Sequence, residues 1–374
     1  MGNNLFILTE KDFVKLFLLL LLSSILFGLS GIVMMIILQW ISRGSYAKDS
    51  VDKHGISPVV GSRMGGAAVA VFTAGLFVLG AYNGLVDAKG PPLGLQLFGW
   101  LAVIACLGLG LVEDLRNDEL APRFRLCIEL VIFAVLLAFR PELIPVELGI
   151  WGLDTLMALP IMGWLLTVVF CVGFINAVNM SDGANGLIPG ICTISFGLFY
   201  AETGAFIYAC LMTSCGLFTL FNMISGRLFL GDAGSYGLGA ALGLSGLFLY
   251  CQDILSAPFL AVLLAYPCID FMVTMVRRAS KGRSIFLPDN GHLHNSIYFY
   301  FQKRFPSTTL PNSLTGGTIV MASSGVALVG SLSGKLPATS QLWIIVFATQ
   351  CLVYGLVFYL TGLDRPASEY VAEV

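Results

Sequence analysis

Charge is what this 374-residue sequence lacks. Asp, Glu, Lys and Arg together make up 11% of it, against roughly 25% in a soluble globular domain. With 57% hydrophobic residues and a mean hydropathy of +0.87, that scarcity argues against two or three water-soluble domains. A net charge of −2 offers no basic surface for phosphate backbones, so no nucleic-acid partner is expected. Histidine is scarce too, at three residues, and none of the nine cysteines forms a CxxC pair. The cysteines lie in or beside apolar runs, so core thiols are expected rather than disulfides or metal ligands. There is no internal repeat and no low-complexity tail.

What is present is long apolar sequence. A membrane-crossing helix needs about 20 apolar residues. Eleven segments qualify, near 16–39, 64–86, 96–112, 124–140, 161–178, 187–203, 205–222, 234–251, 255–276, 314–333 and 341–362. The expected fold is therefore all-α, a polytopic membrane helical bundle of about eleven transmembrane helices, with residues 1–374 forming one integral membrane domain. The run from Leu16 to Ile41 has no charge. It is too long for a signal-peptide core of about 7–15 residues, so a retained helix is expected. With eleven spans, fifteen of the twenty Lys and Arg residues fall on one face and five on the other. The positive-inside rule makes the richer face cytoplasmic, with the N-terminus outside and the C-terminus inside. The outer segment 141–160, with Pro141, Pro145, Trp151 and Pro160, suits a small cap in the headgroup zone.

The loops of the richer face concentrate Asp, Asn, Gly and His. The first ends in Pro58-Val-Val-Gly-Ser-Arg-Met-Gly-Gly66. Its glycines and Arg63 suit an anionic ligand, or simply a flexible loop entering a helix. In the second, Glu113 and Asp114 end a long apolar helix. They suit Mg2+ or a solvated helix end, since buried acids at such a place are costly. The third carries Asn176, Asn179, Asp182 and Asn185, spaced by three and so on one face of a helical turn; packing alone is a poor explanation for such a face. In the fourth, Asn222 and Arg227 precede Gly231-Asp232-Ala-Gly234-Ser235. An aspartate among glycines before an apolar helix suits a metal or phosphate site, with an N-cap role for Asp232 or Ser235 as the plainer alternative. The fifth and longest, about 279–313, holds Arg283 and Pro288-Asp-Asn-Gly-His292-Leu-His294-Asn295, just after Arg277 and Arg278. Its bases favour phosphate binding. Asp270, inside a span, is an intramembrane acid and marks function or structure by default. His54 reads as a loop residue.

All five clusters fall on one face. Acids for a cation, bases for phosphates and a glycine turn together describe phosphoryl transfer, and the bundle beneath them points to a lipid substrate.

The segments NAVNMSDGANGL, FLGDAGS and PDNGHLHN, in this order between about Asp52 and Asn295, resemble the polyprenyl-phosphate N-acetylhexosamine-1-phosphate transferases, relatives of the phospho-N-acetylmuramoyl-pentapeptide transferases. That resemblance implies transfer of a sugar 1-phosphate from a UDP-sugar to a polyprenyl phosphate such as undecaprenyl phosphate, releasing UMP. It implies Mg2+, with Mn2+ as a substitute, a site on the cytoplasmic face of a bacterial inner membrane, and a homodimer. It also implies roles by position. Asp114 matches an acid of a paired-aspartate motif, a candidate both to activate the lipid phosphate and to hold the metal, and Glu113 stands at the other acid of that pair as a further metal ligand. Asp232 matches the Mg2+ aspartate. Asn179 and Asp182 match the motif lining the nucleotide and metal site, where Asn185 also falls. Asn222 matches an asparagine near uridine, and Arg283, His292 and His294 match a basic loop that holds phosphates or sugar. Two departures stand out. Glu113 replaces an aspartate, which lengthens the arm by one methylene, and Asn185 stands where aspartate is common, which removes a charge. A secondary transporter is the rival reading, but transporter sites lie near the midplane, often on broken helices and repeats. A non-catalytic relative of the transferases is the other.

Overall fold

The computed structural model describes residues 10–43, 61–86, 95, 97–116, 120–150, 152–282, 291–307 and 309–362. Arg283, His54 and Trp151 therefore lie outside the described residues, as does most of the first loop ahead of Gly61. The described chain is helical, with no strand beyond one isolated bridge between Ser62 and Leu228.

The helices are α1 (Glu10–Arg43), α2 (Gly65–Tyr82), α3 (Leu97–Arg116), α4 (Pro122–Phe139), α5 (Leu153–Met157), α6 (Pro160–Ser181), α7 (Leu187–Thr203), α8 (Phe206–Ser225), α9 (Gly231–Cys251), α10 (Ala257–Leu263), α11 (Ala265–Ser280), α12 (Leu293–Gln302), α13 (Thr309–Ala322), α14 (Ser324–Leu332) and α15 (Trp343–Gly362). Their ends follow local chemistry. Proline opens α4 and α6, where its missing N–H costs nothing. Gly204 and Gly226 close α7 and α8 in the left-handed conformation, which glycine adopts freely.

All eleven apolar segments expected from sequence are helical. Among the described residues, seven helices are long and apolar enough to cross a membrane, namely α1, α2, α3, α6, α8, α9 and α15. Two further spans arise if the bent pairs α10–α11 (82°) and α13–α14 (46°) each count once, which gives nine. The last two expected spans are α4, which carries Arg123, Arg125 and Glu129, and α7, which has 17 residues. The chain is a multi-pass helical membrane protein. Where an unbroken fifth inner loop was expected, α12 forms between 293 and 302.

Helix α9 is the pillar around which α2, α3 and α6 pack. Its sequence, GDAGSYGLGAALGLSG, is rich in small residues that let helices approach closely where no hydrophobic force separates lipid from protein. A Cβ on Gly66 would overlap the backbone of Gly234, and one on Gly110 would overlap the backbone of Asp232. Gly243 sits against the Phe174 ring in the same way. By contrast, α1 and α15 turn Leu29, Trp40, Leu352 and Tyr359 outward, as peripheral spans facing lipid would. Segment 141–160, where an outer cap was expected, holds a short 3-10 turn, Pro141–Leu143, and α5.

Candidate active site at the helix ends

The polar clusters converge where α3 and α6 end and α2, α9 and α12 begin. Asp114, fully buried near the end of α3, accepts from the backbone N–H of Asp232 (3.0 Å) and of Ala233 (2.8 Å). These are two of the unpaired amides that every helix start leaves, so Asp114 caps α9 from a neighbouring helix. The plainer sequence alternative placed the cap on Asp232 or Ser235. In the structure Asp232 instead occupies the first turn of α9, half-buried, and the Ser235 hydroxyl donates to Asn179 Oδ1 at 2.6 Å. Gly231 adopts φ +74, and a Cβ there would come within 2.7 Å of Asp114 Oδ2. The glycine is therefore needed both for its backbone angle and for its lack of a side chain.

Asp182 follows the last residue of α6 and is half-buried. Burial, and then the carboxylates of Asp232 and Asp114, push its pKa up to about 8. Three carboxylates from three helix ends thus share one electrostatic site. Among the described residues, no three His, Cys, Asp or Glu side chains form a ready-made metal-ligand group.

Glu113 is completely buried, and one of its oxygens binds the Arg125 guanidinium of α4 at 2.7 Å. The same guanidinium nitrogen lies 3.3 Å from the Tyr236 hydroxyl of α9. The longer arm of glutamate lets the end of α3 reach across to α4. Asn176 is also tied to α4, through Glu129 Oε2 at 2.5 Å. The repeating face expected at 176, 179, 182 and 185 does not persist, because α6 stops at Ser181. Asn185 then lies in the following turn, where its backbone N–H donates to Asn312 Oδ1 of α13 (2.9 Å).

Asn222 has both ends of its amide engaged. It accepts from Gly186 N–H (2.5 Å) and donates to the Leu228 carbonyl (2.7 Å), which ties the turn before α7 to the turn after α8. The glycines at the start of α2 also differ from expectation. The N–H groups of Gly65 and Gly66 donate to the carbonyls of Phe229 (3.0 Å) and Leu230 (2.7 Å). They pair with the segment leading into α9 and do not face outward as an anion cradle. Arg63 is half-buried, and its carbonyl packs on Gly231.

The two histidines enter from α12. His292 and His294 are both buried, with rings stacked at 5.3 Å between centroids and 6° between planes. His292 Nδ1 lies 2.6 Å from Asp270 Oδ2, and His294 Nδ1 lies 2.8 Å from the Tyr266 hydroxyl. A Cβ on Gly183 would overlap the His294 ring at Nε2. His294 therefore rests on the residue immediately after Asp182, and the histidine segment meets the carboxylate cluster there. Burial, followed by His292, lowers the His294 pKa to about 4.

Tyr266, Tyr354, Arg125 and Tyr236 join these networks without having been singled out from sequence. The tyrosines sit in apolar runs and look like core or interfacial aromatics. Arg125 follows a Pro-Arg pair and looks like a topology charge.

Residues 97–250 match the family described as glycosyl transferase family 4. The chain is 28% identical over 268 residues to a decaprenyl-phosphate N-acetylglucosaminephosphotransferase of Mycobacterium tuberculosis, covering 63% of this chain and 65% of the relative. It thus spans just under two thirds of that relative's length. To an undecaprenyl-phosphate alpha-N-acetylglucosaminyl 1-phosphate transferase of Escherichia coli O157:H7 it is 27% identical, over 81% of this chain and 80% of the relative. A phospho-N-acetylmuramoyl-pentapeptide-transferase of Lactiplantibacillus plantarum is 32% identical over 44% of this chain and 53% of its own.

Proposed function

Taking as premise that the chain carries a glycosyl transferase family 4 domain over residues 97–250, we propose that it transfers an N-acetylhexosamine 1-phosphate from a UDP-sugar to a polyprenyl phosphate, at the cytoplasmic face of a bacterial membrane. One observation carries this reading. Three carboxylates, Asp114, Asp182 and Asp232, meet at one end of a lipid-embedded bundle with His294 laid against Gly183. Like charges held this close favour either a bound proton or a bound cation.

A Mg2+ ion fits the chemistry of these donors. It takes one or two carboxylates and completes its shell with water and substrate phosphates, so a preformed cage of three protein ligands is not required. Asp232 and Asp182 would hold it. Asp114 already spends both oxygens on the start of α9, so its contribution is to fix Asp232 beside Asp182. Glu113 is engaged with Arg125, which favours a structural role over the ligand role expected from sequence. Bound there, Mg2+ would neutralise the diphosphate oxygens and stabilise UMP as it leaves.

An oxygen of the lipid phosphate attacks the β-phosphorus of the UDP-sugar. A new O–P bond forms, the bond from the β-phosphorus to the bridging oxygen breaks, and UMP departs with that oxygen. No strong base is needed, because a phosphate monoester with a second pKa near 6 is largely ionised at neutral pH. In this reading His294 and His292 interact with the transferring group, and Arg63 adds positive charge that reaches Asp114. With Glu113 and Asp114 at the tip of one span and Asp182 at the tip of another, the fifteen-against-five split of Lys and Arg that eleven spans would give supports a cytoplasmic site. The test is nucleotide release by the purified protein in detergent, given undecaprenyl phosphate, Mg2+ and UDP-N-acetylhexosamines. UMP release that requires both lipid and Mg2+ is expected; UDP release, or none with any donor, overturns the proposal.

A further inference from the structure

We propose that the two stacked histidines are set in opposite hydrogen-bonding roles, with Tyr266 holding His294 as an Nε2–H donor and Asp270, braced by Tyr354, holding His292 as an Nδ1–H ring. This assignment rests on the phosphosugar-transfer reading for its chemical use, though not for its geometry.

The argument runs through single protons. The Tyr266 hydroxyl lies 3.2 Å from the backbone N–H of His294 and 2.8 Å from that residue's Nδ1. A backbone N–H can only donate, so the hydroxyl oxygen accepts there. Its own proton must then go to Nδ1, because among the described residues the buried phenol has no other side-chain or backbone acceptor in reach. The opposite tautomer would bury a hydroxyl proton without an acceptor. With Nδ1 accepting, the His294 proton sits on Nε2, the atom that lies against Gly183 next to Asp182.

At His292 the arrangement is reversed. Asp270 is completely buried and receives three donors. Tyr354 Oη (2.7 Å) and the Leu293 N–H (3.1 Å) go to Oδ1, and His292 Nδ1 (2.6 Å) goes to Oδ2. A carboxylate so placed fixes the imidazole proton on Nδ1 in either charge state of the ring. Thr274 Oγ1, at 3.5 Å, is a distant third partner of the same Nδ1.

The stacking makes this division useful. Two parallel imidazoles 5.3 Å apart repel if both are charged. Burial and the neighbouring His292 hold His294 neutral down to about pH 4. His294 can therefore offer its Nε2–H to an anionic oxygen without itself carrying a charge. Tyr266, Asp270 and Tyr354 are positioning residues in this scheme. They lie on α11 and α15, outside the matched segment 97–250.

The sequence has only three histidines, so nitrogen-15 NMR of the full-length, histidine-labelled protein in detergent can read each ring. We expect protonated Nε2 with bare Nδ1 for His294, and protonated Nδ1 for His292. Tyr266→Phe should scramble the His294 signature and leave His292 unchanged, and Tyr354→Phe should shift His292 alone. In the UMP-release assay each variant should lose turnover by about 10–100-fold, the range for removing an outer partner of a functional histidine, with KM for the UDP-sugar little changed. Nδ1–H on His294 in the unsubstituted protein overturns the proposal, even if Tyr266→Phe fails to fold. An unchanged His294 signature in a folded Tyr266→Phe protein also overturns it. If the expected spectra appear and no UMP is released, the tautomer assignment stands and the transferase reading fails.

Discussion

Replacing Asp114 by Asn separates two roles that the carboxylate cluster merges. In the structure both Asp114 oxygens accept backbone N–H groups of α9, at 3.0 and 2.8 Å. Asparagine keeps one oxygen and turns an NH2 toward the other N–H, so one bond is lost and two donors face each other. A hydrogen bond to a charged group contributes about 1.5–3 kcal/mol. Loss of the negative charge at a partly buried helix start adds about 0.3–2 kcal/mol. The expected cost is about 2–5 kcal/mol of folding stability. Asp232→Asn, half-buried in the first turn, should cost about 1 kcal/mol by the same helix-terminus argument. Thermal unfolding in detergent with a chelator present removes any stabilisation by metal. Asp114→Asn should then melt clearly below the unsubstituted protein, with Asp232→Asn close to it, and both should be inactive in UMP release. Equal unfolding midpoints for the two variants would refute the capping role and make Asp114 a ligand like Asp232.

Other substitutions probe the remaining contacts. Arg125→Met removes the counter-ion of a completely buried Glu113 and should lower stability by about 3 kcal/mol; the double variant with Glu113→Gln should recover part of that loss in the same melting assay. Gly66→Ala drives a Cβ into the backbone of Gly234, where nothing can move aside cheaply, and should cost at least about 1–3 kcal/mol, read as a lower yield of folded protein. Asp182 binds its proton more tightly when folded, with a pKa near 8 against an ordinary value near 3.8. Without divalent cations, stability should therefore fall as pH rises from about 4 to about 8 and flatten above that. Asp182→Asn should remove that slope, and a slope unchanged in the variant would show that another group causes it. Chelation of divalent cations should abolish UMP release, and Mg2+ should restore it.

Much of the site could be located from sequence because polar residues at the ends of apolar helices are conspicuous. Asp114, Asp182 and Asp232 stand out for that reason, His292 and His294 stand out in the longest polar loop, and Asp270 stands out as a lone acid in a span. Their division of labour was hidden. Nothing in the order of residues says that Asp114 caps a helix 118 positions away, or that Asn222 clamps two turns with both ends of its amide. The expected face at 176–185 assumed a helix that runs on past Ser181, whereas a tight turn through Gly183 takes its place.

Composition and the length of the apolar runs determined the class of this protein, because an apolar helix of about 20 residues satisfies its backbone groups within its own segment in lipid. The same runs located all eleven helical segments. The bends of 82° and 46° were decided by tertiary packing. So were the closeness of three carboxylates and the pairing of each histidine with its own partner, Asp270 or Tyr266. Such contacts depend on which helix faces which, and a one-dimensional pattern carries each helix's apolar face without naming its neighbour.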